Sequence, residues 1–172
     1  MGFKEKYAER KLRKLIKRVK HNPVIPQLDH VKTVGVLWQP SQKEAFLYVK
    51  NYFNREQIIF RSFCVFEEIT NPQPDTNSIT TTDLNWWGLP KPGKTDDFIG
   101  INFDLLINIS LNQNFILDYI TALSQANFKV GSSPNVSNYF DLNINIAEKD
   151  DVMYLVKQQI FYLAQLNKTT SK

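Results

Sequence analysis

Residues 88–95 read GLPKPGKT and match the spacing G-x-x-x-x-G-K-[ST], with Gly88, Gly93, Lys94 and Thr95 at the defining positions. A loop of that kind converges free backbone amides on phosphate oxygens and adds a lysine charge. It follows a strand and opens a helix. Here Pro90 and Pro92 remove two amides, and the segment runs into Asp96 and Asp97 and then another strand pattern. The match is one of spacing, not of chemistry. The same stretch offers a second possibility. Trp86 and Trp87 stand beside Gly88 and Pro90, with Lys91 and Lys94 close by. The pair either caps an open edge of the core or forms an exposed aromatic platform on which a base or a sugar stacks.

Other reactive groups are sparse. The histidines, His21 and His30, fall in an extended, proline-containing segment. Glu67, Glu68 and Asp83 are the carboxylates within reach of strand ends, and each reads as a surface charge. Without a tuned His, Glu or Asp in a pocket, general acid–base chemistry near neutral pH has no nominee. No residues have metal-ligand spacing and no cofactor is implied. The single cysteine, Cys64, lies between Phe63 and Val65 with no basic neighbour, so it reads as a small buried hydrophobe. Ser41 precedes Glu44 with capping-box spacing, so its hydroxyl reads as a helix cap rather than a nucleophile.

Charge is the strongest asymmetry. Residues 1–20 hold nine Lys/Arg against Glu5 and Glu9, a net of +7, whereas the whole chain carries +4, so the remainder is at −3. Tyr7, Ala8, Leu12, Leu15, Ile16 and Val19 recur at helical spacing and form one stripe. Lys6, Arg10, Arg13, Lys14, Lys17 and Arg18 fill the other side. Such an arm either docks by its stripe with a solvated charged face, or meets a polyanion, a protein or a membrane surface. Nine phosphates' worth of cations favours nucleic acid among the partners, and the stripe is short of the bulky residues of interfacial helices. No apolar run approaches the ~18 residues of a membrane span. One thiol and no secretory leader point to a reducing, cytoplasmic setting.

The elements that position these groups follow from periodicity. Residues 3–20 are expected to be helical, ending at Asn22-Pro23. Residues 32–38 and 57–66 read as strands, the first central, with a helix from Ser41 to Asn54 between them. Residues 79–84 suit a short strand after the turn-rich 71–77. FDLLINIS at 103–110 returns as FDLNINIA at 140–147, so a β-α unit is laid down twice. In the first copy Phe103, Leu105, Ile107 and Ile109 face one side. In the second, apolar residues alternate strictly with Asp141, Asn143 and Asn145, which places it near a sheet edge. Asn112 or Asn114 caps the helix after the first copy, and 128–131 is a short strand. Asp150 or Asp151 caps the last helix, with Val152, Met153, Val156, Ile160 and Leu163 inward.

Crossover helices between strands predict an α/β fold: one three-layer domain with a mostly parallel, flavodoxin- or Rossmann-like sheet, preceded by a basic amphipathic helix. The divisions are a basic helix at 1–22, a linker at 23–31, the α/β domain at 32–167 and a flexible tail at 168–172. Ligands in such sheets bind beyond the carboxyl ends of strands. Pocket candidates there and in the loop above it are Gln39, Ser41, Trp86, Trp87, Lys94, Ser110, Asn112 and Ser132. The run at 103–110, the helix containing Ser124-Gln-Ala126, Val130-Gly131 and Trp86-Trp87-Gly88 resemble an uncharacterised α/β family of about 170 residues from Bacteroidota. That resemblance covers about residues 30–166 and implies no activity. A weaker similarity, to the N-terminal, acceptor-side half of heptosyltransferase-type glycosyltransferases, implies a donor-binding half that this chain is too short to hold.

The expected function is therefore a non-enzymatic binding or adaptor protein. Its basic helix would contact RNA or a ribosome-like particle through Lys6, Arg10, Arg13, Lys14, Lys17 and Arg18. A protein partner stays open. The alternative is a small enzyme, or a nucleotide- or sugar-phosphate-binding protein, using the carboxyl-edge pocket.

Overall fold

A computed structural model describes residues 2–66, 77–146 and 150–169. The chain order is α1 (Phe3–Ile16), β1 (Thr33–Trp38), a 3₁₀ turn (Pro40–Gln42), α2 (Lys43–Tyr52), β2 (Ile59–Val65) and β3 (Ser78–Ile79). After a second 3₁₀ turn (Thr81–Asp83) come α3 (Asp96–Ile99), β4 (Leu105–Asn108), α4 (Phe115–Leu123), β5 (Lys129–Gly131), β6 (Leu142–Asn143) and α5 (Val152–Thr169). The six strands form one sheet in the order β3-β2-β1-β4-β5-β6. All pairs are parallel. This is the Rossmann-type doubly wound order, and its winding reverses between β1 and β4.

β1 is central because its Val34–Leu37 core is buried on both faces, as parallel strands require. Successive side chains alternate between the two faces. Val34, Val36, Leu105, Ile107 and Val130 meet Ala45, Phe46 and Val49 of α2 and Leu155, Val156 and Leu163 of α5. Leu37, Phe63, Val65 and Leu106 meet Leu117 and Ile120 of α4 and Phe98 of α3. α1 lies outside this sandwich, packed on α4.

Several expectations shift. α1 ends at Ile16, not near Lys20: the amides of Arg18 and Val19 bond back to Leu15 and Ile16 at 2.9 Å, a three-residue turn that redirects the chain. Ser41 is exposed and caps nothing. The reciprocal bond is made two positions earlier, where Gln42 Oε1 accepts from the Gln39 amide at 2.9 Å, because Pro40 has already started a 3₁₀ turn. Asn114, not Asn112, caps α4 by accepting from the Leu117 amide at 2.9 Å. Phe103 precedes β4 and packs on the α4 face, opposite to Leu105, Ile107 and Ile109. Residues 81–83 turn rather than extend β3.

The second copy of the repeat gives only β6, which does lie at the sheet edge. α5 runs through Thr169, so residues 168 and 169 are helical rather than a tail. Val156 and Leu163 are buried as expected, together with Leu155 and Gln159, whereas Val152, Met153 and Ile160 are half-buried. Glu67, Glu68, most of the 71–77 turn, Ala147, Glu148 and residues 170–172 lie outside the described residues.

Candidate nucleic-acid interface

The basic helix is docked. Ala8 and Leu12 are buried, and Leu15, Ile16 and Val19 are half-buried along the same stripe. Lys6, Arg10, Arg13, Lys14, Lys17 and Arg18 are all exposed, as are Lys4, Lys11 and Lys20. Among them only Arg13 has an ion-pair partner in the described residues, Glu9 at 4.0 Å. A pair so exposed contributes little to stability. Where α1 faces α4 the charge changes sign. Asp118 sits half-buried there, and burial, with Glu9 adding repulsion, pushes its carboxyl up to about 6.

The N-terminal turn of α1 meets the tryptophan loop. Tyr7 lies 4.5 Å from Trp87 between ring centroids, and Phe3 lies 6.3 Å away. Lys4 Nζ sits 3.6 Å above the Trp86 ring, within cation–π range. Trp87 is half-buried, so it is the packing residue of the pair; Trp86 is 75% exposed. Trp87 thus packs against α1, and Trp86 is exposed beside Lys4.

The loop that carries Trp86 is preorganised by its own polar groups. Asn85 Oδ1 accepts from the amides of Trp87 and Leu89 at 2.9 and 3.1 Å. The Asn85 amide donates to Leu89 O at 2.8 Å. Lys91 Nζ donates to Thr82 O at 2.8 Å. Gly88 and Gly93 have φ of 78° and 79°, a left-handed conformation that glycine reaches without strain. Lys94 is committed to Asp83 at 2.8 Å. Burial would raise the Asp83 carboxyl, but the Lys94 bond and those from the Thr80 amide and hydroxyl outweigh it and hold it below its ordinary value. The Gly93 amide is taken by the Asp96 carboxylate. Both the lysine and the central amide of the GLPKPGKT match are therefore neutralised by the chain's own carboxylates, and Thr95 is buried.

At the carboxyl edge the winding reversal lies between the ends of β1 and β4. Gln39 and Ser110 meet there and are buried, with Gln42 between them. Ser110 Oγ donates to Gln39 Oε1 at 3.0 Å, and Gln42 Nε2 donates to Ser110 Oγ at 3.0 Å. Asn108 Nδ2 donates to Gln113 Oε1 at 2.9 Å, Asn108 Oδ1 accepts from the Ser110 amide at 3.0 Å, and Gln159 Nε2 donates to Asn108 O at 2.9 Å. The crevice is filled by neutral amides that satisfy one another. Within the described residues, Gln159 Oε1 is the one atom of this set that is both fully buried and without a partner. Ser41 and Asn112 are exposed apart from the network, and Ser132 is buried at the end of β5. Cys64 is buried, and desolvation pushes its thiol up to about 12. No cluster of His, Cys, Asp or Glu among the described residues could hold a metal ion. No helix among them is long and apolar enough to cross a membrane.

Sequence reasoning missed three groups. Lys4 and Phe3 belong with Trp86 and Trp87 across 80 residues of chain, a juxtaposition that no local pattern encodes. Gln42 was hidden by the more familiar Ser41–Glu44 spacing, although Gln39-Pro-Ser-Gln42 has the same three-residue offset. The third is His21, in the segment that leads to Pro23 and Pro26: its Nε2 lies 2.8 and 3.0 Å from the two oxygens of Asp141. Asp141 Oδ2 also accepts from the Lys129 amide at 2.8 Å. This contact pins the segment after α1 to the β5–β6 edge.

The model of a family of unknown function, DUF6913, matches residues 4–166. No curated protein and no solved structure matches the chain.

Proposed function

Because the chain belongs to the DUF6913 family, whose function is unknown, we propose from the geometry alone that it is a non-enzymatic adaptor that binds single-stranded RNA along α1. One observation carries the reading: exposed cations run the length of a docked helix that begins beside an exposed tryptophan, with Lys4 3.6 Å from the Trp86 ring. Cationic tracks that follow a backbone, joined to aromatic faces on which bases stack, are the common solution for single strands. The docking of α1 and the internal bonds of the 80–96 loop hold both parts in place before binding, which lowers the ordering cost. The self-satisfied amide network at the winding reversal supports a binding role rather than a catalytic one.

The test is fluorescence anisotropy with a labelled mixed-sequence RNA strand over a range of salt concentrations. Affinity should fall with a log–log slope of roughly −0.7 per phosphate neutralised. A variant with Lys6, Arg10, Lys14 and Lys17 changed to Gln should flatten that slope by about 2 to 3 and keep its melting temperature, since all four are exposed. Absence of binding at low salt, or an unchanged slope in the variant, sinks the reading. Single-stranded DNA and duplex arms establish which polyanion is preferred.

A second reading rests on a cleft of ≈ 330 Å³ over the carboxyl ends of β1 to β3, lined by Trp38, Lys43, Ser62 and Cys64 among others. It is large enough for a small polar ligand. A thermal-shift panel of nucleotides and sugar phosphates, repeated with Lys43→Ala, decides it: a shift lost in the variant supports a ligand there, and a flat panel removes it.

A further inference from the structure

We propose that the cleft at the C-terminal end of α1 is a single-nucleotide pocket, taking a 5′-phosphate and the edge of one base; it rests on the RNA reading above. The cleft has a volume of ≈ 550 Å³, within the size range of small-ligand sites. Its cations come from the segment that leaves α1, Arg18 and Lys20. Its carboxamides come from three separate places: Asn22 after α1, Asn102 before β4, and Gln125 and Asn127 before β5. Among the described residues none of these four carboxamides has a side-chain hydrogen bond within the protein. The chemistry is complementary to a nucleotide. Guanidinium and ammonium groups take phosphate oxygens, and a carboxamide offers the adjacent donor and acceptor that match a base edge.

The walls are built before any ligand arrives. The Val24 amide donates to Asn127 O at 3.0 Å, the Asn127 amide to Phe103 O at 2.7 Å and the Gln125 amide to Ile99 O at 3.1 Å. On the α1 side His21 is held by Asp141 at 2.8 Å. Gln125 and Asn127 therefore stand on a fixed backbone rather than on a free loop. Position gives the second argument. Trp86 lies at the first turn of α1 and the cleft at its end, and a 14-residue helix is about 21 Å long. A strand that stacks one base on Trp86 and places another in the cleft lies along the whole cationic face, a span in keeping with roughly 4–16 nucleotides for single-strand sites. The platform is indifferent to base identity, and the cleft supplies the discrimination.

The experiment uses the full chain in two arms. Anisotropy is measured with four 12-nucleotide homopolymers, for the protein and for an Asn102→Ala/Gln125→Ala variant. In parallel, the four free 5′-nucleoside monophosphates are titrated against the backbone amide NMR signals of residues 125–127. The proposal expects one homopolymer to be preferred by about fivefold or more. The variant should lose that preference while keeping its melting temperature and the salt slope that the exposed cations of α1 set. Equal binding of all four homopolymers by the unaltered protein overturns the pocket but leaves the RNA reading intact, as does a preference that survives in the variant. If no strand binds but a monophosphate shifts the 125–127 signals, the pocket stands as a site for free nucleotides and the adaptor reading falls. If neither binds, both fall.

Discussion

Lys129→Met removes a charge that the fold holds at a cost. Lys129 is 3% exposed in β5, and among the described residues its Nζ reaches only Ala122 O, at 3.5 Å. Burial lowers its pKa from 10.5 to about 8, against the pull of Asp141 in the other direction. The unfolded chain therefore binds more protons than the folded chain between about pH 8 and 10.5, and stability rises with pH across that window. Below pH 8 both states are charged and the full penalty stands; above 10.5 both are neutral and it is gone. At 1.36 kcal/mol per pH unit, the gap between the two values corresponds to about 3 kcal/mol. Methionine keeps the volume of the stem but loses the long bond to Ala122, worth about 0.5–1.5 kcal/mol. The variant should thus be more stable by about 2 kcal/mol at pH 7. Urea unfolding of both proteins at pH 7 and at pH 10.5, at constant salt, measures this. The advantage should shrink to zero or reverse at the higher pH. A variant that is less stable at pH 7, or equally advantaged at both, refutes the reasoning, because the ammonium would then be solvated or well paired in the fold.

Asp118→Asn tests the α1–α4 interface: with the carboxyl pushed up to about 6, the variant should be more stable above pH 6, by roughly 1 kcal/mol after discounting for partial exposure, with the gain fading toward pH 4. Thermal melts across that range read it, and a gain that persists at pH 4 contradicts the assignment. Ser110→Ala leaves two buried carboxamides short of a partner and should cost about 1–3 kcal/mol by urea unfolding; a neutral result means the network rearranges without loss. Cys64, buried with its thiol pushed up to about 12, should resist iodoacetamide at pH 8 in the native protein and react once urea unfolds it. Ready alkylation of the native chain contradicts that burial.

The class of fold and the place of the charge are legible in the residue pattern alone. The apolar runs at 32–38 and 103–110 have strand length and are separated by helical periodicity, and a parallel sheet follows because only crossover helices can join such strands. The stripe at Ala8, Leu12, Leu15, Ile16 and Val19 put the apolar residues on one side and the cations on the other, but whether it docks on the body or on a partner was not written in it. Tertiary structure decided everything that depends on residues far apart meeting. The strand order put Gln39 beside Ser110 and let Gln42 close the crevice, because β1 and β4 are neighbours only in the folded sheet. Docking on α4 brought Lys4 and Tyr7 to the tryptophan loop and separated two adjacent rings into a packing residue and an exposed one. The turn after Ile16 and the contact of His21 with Asp141 then make what reads as a linker into the wall of a cleft. Periodicity reports which face of an element is buried; it carries no information about which other element covers it.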